Sequence, residues 1–231
     1  LLGIGGAKLI DLLGFNPDLY HLNEAHGASS IFYLYKKLGS KKAVQDKLVF
    51  TTHTPEEAGN EKHDIYLCNQ MDYFNGIPLE EVREITGMKD DLFNHSLVAL
   101  RFAKRANGVS QLHGEVSRKM WAQYNDICEI KAITNAQNYN YWSDKKLYAA
   151  MEEGDGGLFD ERKRYLQKRA YENVADQCGK LFDPEICTIV WARRFAGYKR
   201  PDILTWDMHR LEKLLTDKKY PIQIIWAGKP Y

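Results

Sequence analysis

The sequence predicts an α/β fold: parallel sheet segments with helices on both faces. Helix-spaced and strand-like segments alternate along the chain, the pattern of repeated strand–helix–strand units. The strand-like runs are short and apolar, as in Ile186-Cys187-Thr188-Ile189-Val190, which suits strands buried by helices. Polar segments follow these runs, so a parallel sheet would gather them at one edge, where open α/β sheets bind ligands.

In order, residues 7–13 form a short helix that Gly14 ends. Ahead of it, Gly3-Ile4-Gly5-Gly6 reads as a tight turn. A phosphate cradle there would need a preceding strand and a third spaced glycine. Residues 19–22 are short and apolar. Residues 27–38 have helical spacing through Ile31, Leu34, Tyr35 and Leu38, stopped by Gly39. Residues 47–52 are strand-like, and Pro55 breaks the run. Residues 55–92 are polar, with one helix over 78–85 before Gly87. Residues 94–106 form an amphipathic helix through Leu97, Leu100 and Phe102. A strand over 108–112, a helix over 113–124, a turn over 125–129 and a strand over 130–134 follow. Helices over 145–153 and 160–178 precede a strand over 186–192, a helix over 203–215 and a strand over 222–227. The stretch 143–180 is poorest in apolar residues and reads as a helical connection between two α/β units.

Composition narrows the function classes. The 231 residues suffice for one large or two small domains. Lys and Arg total 32 against 31 acids, a balance that argues against nucleic-acid or anionic-membrane binding, so any anion site is local. No apolar run approaches the roughly 18 residues of a membrane span. Cys68, Cys128, Cys178 and Cys187 are scattered, with no C-x-x-C pair. They read as reduced thiols of a cytoplasmic protein. The chain lacks an initiating Met and stops just after an apolar run, so it is expected to be a piece of a longer polypeptide.

Four polar segments carry the candidate chemistry: Asn23-Glu24-Ala25-His26, Thr51-Thr52-His53-Thr54, Asn135-Ala136-Gln137-Asn138 and a basic cluster. The cluster places Arg193, Arg194, Lys199 and Arg200 just after the strand over 186–192. Cations converging there suit a phosphate, and Asn, Gln, Thr, His and Glu suit sugar hydroxyls. Together they suggest a sugar that carries, or reacts with, phosphate. His21, His63 and His209 are expected to hydrogen-bond locally, and His113, opening a helix, to face solvent. His21, Glu24 and His26 invite a metal reading, but their spacing fits neither zinc-helix signature.

These segments in this order resemble the α-glucan phosphorylases (glycogen, starch or maltodextrin phosphorylase), especially the shorter bacterial and archaeal forms. The matching runs are Leu2-Gly-Ile-Gly-Gly6, His21-Leu-Asn-Glu-Ala-His26, Phe50-Thr-Thr-His-Thr-Pro55 with Ala58-Gly59, and Ala106-Asn-Gly-Val-Ser110. They continue with Leu112-His-Gly-Glu-Val-Ser-Arg-Lys-Met-Trp121, Ile133-Thr-Asn135, Arg194-Phe-Ala-Gly-Tyr-Lys-Arg200 and Ala227-Gly-Lys229.

The resemblance implies a two-Rossmann-domain glycosyltransferase. Residues 1–143 would be the C-terminal part of the first Rossmann-like domain, 144–180 the helical connection and 181–231 the start of the second. It implies phosphorolysis of terminal α-1,4-linked glucose to glucose 1-phosphate, with α-glucan and inorganic phosphate as partners. Pyridoxal phosphate is the implied cofactor, with its Schiff-base lysine beyond Tyr231, so the chain alone is expected to be inactive. Oligomeric state is left open, a homo-oligomer included. By position, Arg194 and Lys199 would hold the substrate and cofactor phosphates, and His53 and Asn135 the glucosyl hydroxyls. Asn23, Glu24 and His26 would line the neighbouring sugar pocket.

The chain departs from the family pattern in three places. Thr134-Asn135-Ala136 stands where Thr-Asn-Gly is usual, and Ala does not take positive φ cheaply. Glu56 replaces an apolar residue, and Asn94-His95-Ser96 replaces Asn-Met-Thr. A non-catalytic glucan-binding relative therefore stays open as an alternative, as does a metal hydrolase using His21, Glu24, His26 and His53.

Overall fold

The structure is a computed structural model that describes residues 1–54 and 56–230, with Ala58 described by its backbone alone. Pro55, expected to break the second strand, lies outside the described residues. The chain divides into two compact units, Leu1–Ala136 and Gln137–Tyr231.

The first unit begins with α1 (Leu2–Leu12) and β1 (Tyr20–Asn23), then a 3-10 turn at Ala25–Gly27. The glycines expected in a tight turn instead lie inside α1. The reason is close approach: a Cβ on Gly3 would sit 2.1 Å from Ser29 Oγ and 2.8 Å from the Gly27 carbonyl. Only glycine lets the helix lie flush on that turn.

α2 (Ser30–Leu38) follows, ended as expected by Gly39 in the left-handed conformation. Ser40 then caps α3 (Lys41–Lys47), its side chain accepting from the Ala43 N–H at 3.2 Å. β2 (Leu48–Thr51) leads to β3 (Lys62–Asp64), α4 (Ile65–Gln70), α5 (Leu79–Thr86), β4 (Leu92–Asn94) and α6 (His95–Phe102). β5 (Arg105–Gly108), α7 (Gln111–Met120) and β6 (Ile130–Ala132) complete the unit.

The main sheet is parallel, in the order β1-β2-β5-β6. Asn23 pairs with Thr51, Thr51 with Asn107 and Asn107 with Lys131, so the strands end level. β5 comes earlier than the strand expected over 108–112. Its start takes the tail of the predicted helix, which breaks at Ala103. β3 and β4 form a small antiparallel ribbon within the polar stretch read as having a single helix.

The core of this unit holds Ile31, Phe32, Leu34, Val44, Leu48, Phe50 and Phe102, all fully buried. Phe32, Phe74 and Phe93 meet edge-on or tilted, with centroids 5.0 to 6.1 Å apart, geometry favoured by ring quadrupoles. This packing anchors the helices that hold the strand ends in place.

The second unit runs α8 (Tyr139–Trp142), α9 (Lys145–Glu152), α10 (Gly156–Cys178), β7 (Cys187–Ala192), α11 (Met208–Thr216) and β8 (Ile222–Ala227). β7 and β8 pair in parallel from Cys187 with Ile222 to Ala192 with Ala227. Arg162 on α10 forks onto Asp144 before α9 at 2.6 and 3.0 Å. That pair holds the Asp144 carboxyl at a pKa of about 2.

Candidate functional site

The level strand ends in the first unit place three of the predicted polar segments on one edge of the sheet. β1 runs out at Asn23, and Glu24 turns the chain with φ 59 and ψ −178. A side chain in that region stores strain that its surroundings must hold. Two sets of bonds hold it. The Glu24 N–H donates to the Thr51 carbonyl at 2.9 Å. Its carboxylate accepts the backbone N–H of His53, and the Thr54 hydroxyl at 3.1 Å.

His53 closes the group from the other side: its Nε2 lies 2.8 Å from Asn23 Oδ1. An amide oxygen only accepts, so the network assigns the proton to Nε2 and leaves the lone pair on Nδ1. His53, expected on the glucosyl unit, is thus directly hydrogen-bonded to Asn23 and Glu24, expected in the neighbouring sugar pocket. His26 sits exposed in the 3-10 turn after Glu24.

A second row of bonds stitches the strands under these loops. His21 Nε2 lies 2.8 Å from Thr51 Oγ1, and the Thr51 hydroxyl donates to Asn107 Oδ1 at 2.8 Å. His21 hydrogen-bonds as expected, though across strands. Sequence reading missed Asn107, whose Asn-Gly step gives no sign that its side chain bridges to a threonine on another strand.

Asn135 follows β6 on the same edge. Its N–H donates to the Val109 carbonyl at 3.0 Å, as Ile133 does to Gly108 at 3.0 Å, so the β5 and β6 loops are tied together. Its exposed side chain makes no hydrogen bond to Asn23, Glu24 or His53. His113 corrects the expectation of a solvent-facing ring. It is 8% exposed, and its Nδ1 accepts the Val109 N–H at 3.1 Å. The helix start brings it back over the end of β5.

The basic cluster lies in the second unit. After β7, the Arg193 N–H donates to the Ala227 carbonyl at 2.9 Å and the Phe195 N–H to Lys229 at 3.0 Å. A Cβ on Gly228 would fall 1.8 Å from the Arg193 carbonyl, so glycine is what lets the two loops meet. A 3-10 turn at Gly197–Lys199 then ends on Arg200 with φ 51. Lys199 is half-buried, its ammonium 4.7 Å from the Tyr198 ring centroid. The pairing also brings in Lys229, which carried no role in the sequence reading. A loop with Arg194 and Lys199 after β7 and Lys229 after β8 is a donor set that fits a phosphate-bearing group.

Among the described residues, no three His, Cys, Asp or Glu side chains are placed to hold a metal ion. Glu24 spends its carboxylate on the His53–Thr54 segment instead. Among the described residues no helix is long and apolar enough to cross a membrane, and the four cysteines are free thiols.

No family model matches the chain. An uncharacterized protein of Methanocaldococcus jannaschii is 45% identical over 231 residues, which are 100% of this chain and 43% of that protein. The maltodextrin phosphorylase of Thermococcus litoralis is 28% identical, matching 100% of this chain and 34% of its own length. The glycogen phosphorylase of Aquifex aeolicus is 29% identical, with 100% and 41% covered. The chain therefore spans less than half the length of these relatives, and it is related to glycogen and maltodextrin phosphorylases.

Proposed function

We propose that this chain is the central part of a glucan phosphorylase, two Rossmann-like domains joined by the helical stretch 144–180. The enzyme transfers the terminal α-1,4-linked glucose of a glucan to inorganic phosphate and releases glucose 1-phosphate. The observation that carries this reading is the bonded set Asn23–Glu24–His53 at the end of a parallel sheet. Similarity to glycogen and maltodextrin phosphorylases along the whole chain supports it.

His53 and Asn135 hold hydroxyls of the reacting glucose, while Asn23, Glu24 and His26 line the adjoining pocket. The bonds among Asn23, Glu24 and His53 fix the donors and acceptors of these three before sugar arrives, which lowers the entropic cost of orientation. Arg194 and Lys199 hold phosphate oxygens by charge-assisted bonds and stabilise their negative charge. They would also hold the phosphate of pyridoxal phosphate. When bound, that group supplies the phosphate acid that protonates the substrate phosphate.

The test is incubation of the full-length protein with maltodextrin, with and without inorganic phosphate. Phosphate-dependent release of glucose 1-phosphate is the expected result. Glucan binding without that release favours the second reading, a non-catalytic glucan-binding relative, for which Ala136 in the Asn135 loop is the specific sign.

A further inference from the structure

A cavity of about 320 Å³ opens beside the turn that carries His26, with Glu61, His63, Leu67 and Met71 also in its walls. His63 begins a chain of three rings in the cavity wall. His63 Nδ1 lies 2.8 Å from His95 Nε2, and His95 Nδ1 lies 2.8 Å from the Tyr73 hydroxyl. His95 is one of the positions where this chain departs from the family pattern.

The chain of bonds fixes protons. His95 is 4% exposed, and burial, with His63 second, pushes its pKa down to about 4. A neutral imidazole carries one N–H, so the two bonds of His95 must run in the same sense. If Tyr73 donates to His95 Nδ1, then His95 Nε2–H donates to His63 Nδ1, and His63 turns an Nε2–H to the cavity. In the opposite sense the Tyr73 O–H loses its one acceptor among the described residues. The first arrangement satisfies all three groups.

His63 is therefore a fixed donor, and Glu61 beside it is an acceptor. A sugar hydroxyl both donates and accepts, so adjacent hydroxyls of one ring need such a pair. Leu67 and Met71, 49% and 75% exposed, offer apolar surface for the C–H face of a ring. The volume is at the small end of ligand sites and suits one monosaccharide unit.

We propose that this cavity is a monosaccharide subsite in which His63 and Glu61 are specificity-determining residues for a neutral pyranose. The Tyr73–His95 pair positions the His63 donor. The proposal rests on the sugar-pocket reading of His26 and extends it. Sugars bearing a carboxylate are rejected, since Glu61 repels them.

The probes are glucose and glucuronate, without phosphate, titrated into the full-length protein. Calorimetry gives affinity, and ring ¹⁵N–¹H correlation spectra give the histidine tautomers. Wild-type His63 is expected as the Nε2–H tautomer, shifted by saturating millimolar glucose. Glucuronate is expected to bind at least tenfold more weakly. His63→Leu and Glu61→Gln each weaken glucose about tenfold, while His63→Gln, whose amide N–H reaches the same place, stays within about threefold. Tyr73→Phe, in the same wall, frees the tautomer, and affinity falls about twofold with the lost population. A proton on Nδ1 of wild-type His63 overturns the proposal whatever the variants do. So does glucose binding unchanged in both His63→Leu and Glu61→Gln, equal binding of glucuronate, or no shift of His63 at saturation. Glucose 1-phosphate release from the full-length protein is a separate readout. If it is absent while glucose still shifts His63, phosphorolysis fails and the subsite stands. If it proceeds with unchanged kcat/KM in His63→Leu, the subsite fails and phosphorolysis stands.

Discussion

The carboxylate of Glu24 holds the backbone N–H of His53, and it does so from a residue whose own backbone is strained at φ 59. One side chain therefore ties the loop after β1 to the loop after β2. Removing it releases both the strain holder and the His53 anchor.

Glu24→Ala is expected to destabilise the chain by about 2 kcal/mol, the usual range for hydrogen bonds to a charged group. Amide exchange at His53 and Thr54 should accelerate with it. Glu24→Gln keeps an acceptor oxygen and should lose less than about 1 kcal/mol. Urea unfolding with residue-level exchange reads both. An Ala variant as stable and as protected as wild type shows that the carboxylate does not hold this loop.

The glycines of α1 separate packing from propensity. Gly3→Ala drives a methyl into Ser29 and the Gly27 carbonyl, and overpacking of this kind costs about 1–3 kcal/mol. Gly5 and Gly6 have no neighbouring atom within 4 Å of a new Cβ. Ala at either position should stabilise by up to about 1 kcal/mol, since glycine is a poor helix former. Thermal unfolding of the three variants should therefore give shifts of opposite sign.

The buried His95 gives stability an acid limb. Its pKa falls from an ordinary 6.5 to about 4 on folding, so between those values the unfolded chain binds a proton that the folded chain does not. Stability from this residue is intact above the unfolded value and is lost as pH falls through the window. The full loss approaches about 3 kcal/mol. His95→Met removes the titration, so its unfolding free energy should vary less between pH 6.5 and 4 than that of wild type. Parallel pH profiles for the two proteins contradict this assignment.

The main sheet was legible because apolar runs over 19–22, 47–52 and 130–134 are bounded by turn residues, and the polar segments after them could be placed on one edge from parallel topology alone. The β3–β4 ribbon was not legible. Lys62–Asp64 is a short strand of exposed polar residues, and only its partner Leu92–Asn94 defines it. α3 was hidden for a similar reason: among its seven residues only Val44 is buried. The Asn23–Glu24–His53 set was readable as residue types after strands, but its wiring depends on the backbone of Glu24, which no periodicity encodes. His63 and His95 are far apart in sequence and meet only through the ribbon and the helix that follows it.

Arg194 and Lys199 supply the last prediction, which depends on the proposed phosphorolysis. In the full-length enzyme, Arg194→Ala should lower kcat/KM for phosphate about 10- to 100-fold, the worth of a charge-assisted fork. KM for maltodextrin should hardly move, because the proposed function gives the sugar contacts to His53 and Asn135. Arg194→Lys should recover only part of the loss, since an ammonium is a point charge that cannot grip two oxygens in a plane. Lys199→Ala should act on phosphate as well. Its ammonium already stacks over Tyr198 at 4.7 Å, so Tyr198→Leu, which removes that platform, should weaken phosphate less than loss of the charge itself. Initial rates at varied phosphate and fixed maltodextrin separate these effects. A rise in KM for maltodextrin with phosphate kinetics unchanged would remove Arg194 and Lys199 from the phosphate site.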